Sequence, residues 1–252
     1  MNPFDTLVAH THLRRSRYRD QLEHMAPALQ ARWRSEAPIE FPGIALSATC
    51  FMRAAEGLLA FFDATRHSGA RCALPSQAAD SVWHAWLRWD ADDLAHYCRR
   101  HFQGEVPHLT ALEVGPGALA RTLVACRVLE GMPAHGLDLP GLFRLDARLR
   151  IPNGQGYWLA GGDIVHGRLG DNGKPLEAAK HPELTLSALL AANLISQDMY
   201  RDGLERQRDR PHSQSGFLVP DSAQCAAGGC GDGSGGDSGA GSGCGGGCGG
   251  GY

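Results

Sequence analysis

Residues 76–108 read SQAADSVWHAWLRWDADDLAHYCRRHFQGEVPH, and this stretch decides the fold class. Ser76, just after Pro75, can cap a helix that carries Asp80, Val82, Trp83, His84 and Leu87. Asp90 can cap a second, with Leu94, Tyr97, Cys98, His101 and Phe102 along one side. The short connection around Trp89–Asp90 predicts antiparallel neighbours. Asp80 and His84 are four residues apart and share a helix face, while Cys98 and His101 are three apart on the second helix. Past Gly104 and Pro107, where the chain can fold back, stands His108.

The same helical period extends outward. A polar segment from about Arg15 to Trp33 is expected to bend or break at Pro27. Ala48, Phe51, Met52, Ala55, Leu58, Leu59 and Phe62 follow the spacing of one buried helix face, and Gly69 offers a stop. A further helix runs from about Ala118 to Glu130, ending at Gly131 and Pro133. In LFRLDARLRI the period changes to two: Phe143, Leu145, Ala147, Leu149 and Ile151 alternate with Arg144, Asp146, Arg148 and Arg150. That alternation predicts a half-buried strand with a charged outer face. Asn153-Gly154 then serves as a hairpin turn, Tyr157, Trp158 and Leu159 as the return strand, and DIVHGRL as a third. A last helix is expected from about Thr185 to Gln207.

Composition separates a body from a tail. Of 33 glycines, 15 lie between Gly228 and Gly251, where almost no apolar side chain offsets the entropy of ordering. The expected organisation is a mainly α-helical domain over residues 1–220, with a small β hairpin near 142–160, and a disordered Gly/Cys-rich tail over 221–252. The formal charge of −3 equals the three aspartates of the tail, Asp221, Asp232 and Asp237, so the body is formally neutral. A neutral body argues against nucleic-acid binding, which draws most of its affinity from phosphate neutralisation. No apolar run approaches the ~20 residues of a membrane span. The start lacks the basic-then-apolar order of an export signal, so the expected location is cytoplasmic, with free body thiols.

Two groups of residues invite a metal. Carboxylate, imidazole, thiolate and imidazole from Asp80, His84, Cys98 and His108 would make a tetrahedral set suited to zinc. The competing reading is a structural hydrogen-bond cluster, with Cys98 as a small core residue. In the tail, Cys225, Cys230, Cys244 and Cys248 are a weaker soft-metal set. They stand beside two other readings: a plain linker, and a Gly/Cys/Ser precursor segment whose residues are cyclised to azoles.

Asp80, Trp83, His84, Cys98, Phe102, Gly104 and His108, together with the tail, resemble the glycine-rich domain-containing proteins, whose bacterial members often end in such a tail. The likeness covers about thirty residues plus the tail, and LFRLDARLRIPNG resembles a later family segment less distinctively. Leu94 stands where the family commonly has tyrosine. The resemblance implies the helix pair and brings no established activity. The leading expectation is therefore a non-catalytic binding or accessory protein, with a protein partner not identified by the sequence. The alternative is a metal-dependent hydrolytic enzyme using the same cluster.

Overall fold

The computed structural model describes residues 3–170 and 173–209, with the side chain of Ala111 excepted. The expected tail, with Cys225, Cys230, Cys244 and Cys248, lies outside the described residues. In chain order the elements are α1 (Pro3–Arg15), α2 (Arg19–Glu23), α3 (Pro27–Glu40), α4 (Ala48–Ser68), α5 (Gln77–Trp89), α6 (Ala91–Phe102), α7 (Ala111–Val114) and α8 (Ala118–Leu129). A 3-10 turn, Gly141–Arg144, leads into α9 (Leu145–Leu149). The antiparallel strands β1 (Gln155–Ala160), β2 (Asp163–Arg168) and β3 (Ala179–Lys180) follow, then α10 (Leu186–Ala191) and α11 (Gln197–Asp209). The domain is mainly α, as its periodicity predicts. None of the described helices is long and apolar enough to cross a membrane.

Helix α4 is the central post, packed by α1, α5 and α8. Leu58, Leu59 and Phe62 are fully enclosed on it, each contributing roughly 1.5–3 kcal/mol by leaving water. It stops at Gly69, whose φ of +62° is the left-handed cap conformation that glycine adopts without strain. Both α4 and α5 are capped twice. Ser47 accepts from Cys50 N–H and Ser76 from Ala79 N–H, the local caps that sequence can foresee. The second cap is remote: Asp5 of α1 accepts from the N–H groups of Ala48 and Thr49, and Asp146 of α9 does the same for α5. Each carboxylate also meets the positive end of a helix dipole.

Asp146 corrects the strand expected across 143–151. That segment is a 3-10 turn and a short helix, and Asp146, expected on a solvated face, is only 1% exposed. Leu142 and Leu145 join the core around α4, whereas Phe143 enters a second core with Leu123, Tyr157, Ile164 and Leu189. Asp146 is drawn inward by the donors it meets at the start of α5, so the alternation of polar and apolar residues does not track which side chains are buried and does not imply a strand. Gly57 on α4 makes the close packing of α9 feasible, since a Cβ at that position would lie 2.3 Å from Leu145 Cδ2.

The hairpin is real but displaced. β1 pairs with β2 from Gln155↔Arg168 to Ala160↔Asp163, so the expected return strand and third strand are partners of one another. Gly161 and Gly162, both at positive φ, make the turn. Asn153-Gly154 does turn the chain, but out of α9 into β1. The helix expected over Thr185–Gln207 is two helices. Asn193 at φ 54° ends the first, and Ser196 caps the second by accepting from Met199 N–H. The break before Pro27 occurs as expected.

Candidate functional site

Gln77, Asp80 and His84 recur at i, i+3 and i+7, so they line one face of α5. Opposite that face, the chain leaving α6 passes through Gly104 and Pro107 and delivers His108. Three ligand-type atoms converge there. His84 Nε2 lies 3.0 Å from His108 Nε2, His108 Nε2 lies 3.1 Å from Asp80 Oδ1, and His84 Nε2 lies 3.6 Å from Asp80 Oδ1. All three side chains are about one-third exposed. They are the one such group of three or more metal-ligand side chains among the described residues.

Glu40, at the end of α3, completes the geometry, and nothing local in the sequence points to it. Its Oε2 accepts from His84 Nδ1–H at 2.6 Å across a separation of 44 residues. That bond assigns the tautomer: with the proton on Nδ1, His84 presents the Nε2 lone pair to Asp80 and His108. Arg88 binds the other Glu40 oxygen and also Glu36. Burial works to raise the Glu40 carboxyl, but the bonds from His84 and Arg88 outweigh it and hold the group below its ordinary range. The Glu40 bond to Arg88 raises the guanidinium in turn. An ionised Glu40 behind a histidine is the common partner of a metal-ligating imidazole. With protons alone, the same atoms form a hydrogen-bonded chain, His84 Nε2 to His108 Nε2 to Asp80 Oδ1, whose donors are set by the tautomers.

Aromatic rings fix both imidazoles. Trp83 packs edge-on against His108 with centroids 4.5 Å apart, and Phe41 lies 5.9 Å from the His84 ring. Phe61 and Phe62 hold Trp83 from behind. A cavity of about 360 Å³ opens beside the cluster, with Asp80 and His108 in its wall together with Phe61, Leu74, Gln77 and Gln155.

Cys98 is not among the gathered ligands. It faces the core with Leu94, Tyr97 and Phe102 and is 1% exposed. Burial pushes its thiol up to about 11, against which a bond from the Val106 backbone N–H acts. Two residues beyond Val106 stands His108, so Cys98 tethers the loop that carries His108. The i,i+3 spacing of Cys98 and His101 does not bring His101 into the set either. Burial, with Arg100 and His24 nearby, lowers the His101 pKa, and its Nε2 is enclosed without a hydrogen-bond partner. All four body cysteines are free and buried.

Comparisons of the chain with family models, with curated proteins and with solved structures returned no match.

Proposed function

We propose that this protein binds one zinc-class divalent cation through Asp80, His84 and His108, and that the ion keeps a coordination position open toward the adjoining cavity. The triangle of ligand atoms carries this reading. Zinc bonds of 2.0–2.2 Å in tetrahedral geometry separate ligand atoms by about 3.3 Å, and the three distances are 3.0, 3.1 and 3.6 Å. Asp80, His84 and His108 would hold such an ion with three protein ligands. Glu40 accepts from His84 Nδ1–H and so leaves Nε2 as the ligating nitrogen.

Structural zinc sites close with four protein ligands, whereas catalytic ones use three and keep a place for water or substrate. With Cys98 in the core, three protein ligands favour the hydrolytic reading over the accessory one. The chemistry supplied by the ion in that reading is activation of a bound water near neutral pH. Asp80, His84 and His108 would hold the ion, and Glu40 would fix the His84 ring behind it.

Metal titration tests the proposal. Full-length protein with Cys225, Cys230, Cys244 and Cys248 replaced by Ser is stripped with a chelator, and zinc uptake is followed by calorimetry and elemental analysis. One equivalent is expected, and His84→Ala or His108→Ala should abolish it. Absence of stoichiometric uptake in the tail-serine protein overturns the reading.

A further inference from the structure

Resting on that metal reading, the chemistry of the cavity selects a ligand class. We propose that the cavity takes a small, uncharged, largely apolar molecule of about ring size, which presents one oxygen to the ion, and that it rejects phosphate esters. Its volume of about 360 Å³ is at the small end of ligand pockets and roughly twice that of a cavity that holds benzene. One ring with a single functional group fits such a space.

The walls set the polarity. Phe61 and Trp83 form an aromatic side and Leu74, Leu109 and Val114 an aliphatic one. Among the described residues, no lysine or arginine lines the space. Phosphoryl groups are held by bidentate arginines, lysines or arrays of backbone N–H groups, so a phosphate ester would give up its hydration here with no cation beyond the ion itself. Two neutral amides provide the polar contacts. Gln155 has its Oε1 engaged by His166 Nε2 at 2.7 Å, which leaves its N–H groups as donors. Gln77 lies one turn before Asp80 on the same face of α5. Neutral donors and acceptors beside apolar walls suit a carbonyl-bearing ring.

Hydroxamates separate the two layers of the proposal, because they chelate an open zinc position whatever their substituent. The tail-serine protein, loaded with one equivalent of zinc, is titrated with acetohydroxamic acid, benzohydroxamic acid and phenyl phosphate. Benzohydroxamic acid is expected to bind at least tenfold more tightly than acetohydroxamic acid, and phenyl phosphate more weakly than either. Leu74→Trp, which fills the aliphatic side, should erase the tenfold preference while zinc stoichiometry stays at one. Equal affinities for the two hydroxamates, or tightest binding of phenyl phosphate, overturn the cavity inference while leaving the zinc site standing. If zinc is not taken up, the metal reading fails by itself. Benzamide binding to the metal-free protein, measured by calorimetry, then decides the cavity's preference: binding that Leu74→Trp abolishes supports it, and no binding overturns it.

Discussion

Replacing Asp146 by Asn changes one oxygen to an NH2 group at a carboxylate only 1% exposed, and the cost follows from its four donors. Oδ1 accepts from Ser76 Oγ–H at 2.6 Å and Ala78 N–H at 3.0 Å, and Oδ2 accepts from Gln77 N–H at 2.9 Å and Gln155 N–H at 2.8 Å. In the variant, the remaining oxygen keeps two N–H partners best when turned toward Gln77 and Gln155. The new NH2 then faces the Ala78 N–H, and the Ser76 hydroxyl must reverse to accept. One buried N–H left without an acceptor costs about 1–3 kcal/mol. Three bonds that lose charge assistance drop by about 1 kcal/mol each. Relief from burying a charge offsets part of this, in line with the upward shift that burial imposes on the Asp146 carboxyl. The expected net loss is about 3 kcal/mol. With a urea m-value of about 2 kcal/mol/M, the unfolding midpoint should fall by about 1.5 M. Ser76→Ala, alone and combined with Asp146→Asn, should reveal a coupling above ~1 kcal/mol. A midpoint shift below ~0.3 M, or strict additivity of the two variants, would show that α5 does not depend on Asp146.

Glu40→Gln should weaken zinc binding by roughly 10–100-fold at unchanged stoichiometry, measured by competition with a chromophoric chelator; full affinity in the variant would remove Glu40 from the site. Cys98→Ser should leave zinc stoichiometry at one and lower thermal stability modestly, since a hydroxyl can still accept from Val106; loss of zinc would restore Cys98 as a ligand. Burial lowers His101, His166 and His181 below the usual 6.5, so as pH falls the unfolded chain takes up these protons first. Their contribution is therefore complete above pH ~6.5 and lost as pH drops through the folded values. Urea midpoints should decline from pH 7.5 to 5.5, less steeply in His101→Phe, and a flat or rising series contradicts the sign.

Local chemistry in the sequence determined most of the helices and one face of the site. Ser76, Asp90 and Gly69 act on the nearest turn of backbone, within reach of a side chain whatever the rest of the chain does. The apolar period of α4 marks its buried face for the same reason, and the i,i+4 spacing of Asp80 and His84 places them side by side before any packing occurs. The turn-forming run from Gly104 to Pro107 likewise brought His108 within the expected set.

What tertiary structure decided involves partners far apart in sequence. Asp5, Asp146 and Glu40 are ordinary exposed-type carboxylates by local pattern. Each acquires its role from a helix end or an imidazole more than forty residues away. The segment around Asp146 reads as a strand by its alternation, yet it folds as a turn and short helix whose Leu142 and Leu145 enter one core and Phe143 another. Cys98 had a ligand's chemistry, but the rotation of α6 against α4 and α5 turned it inward and gave its thiol to Val106. Backbone periodicity encodes which residues share a face; which face meets which neighbour is set only when apolar surfaces of separate elements pack together and bury one another.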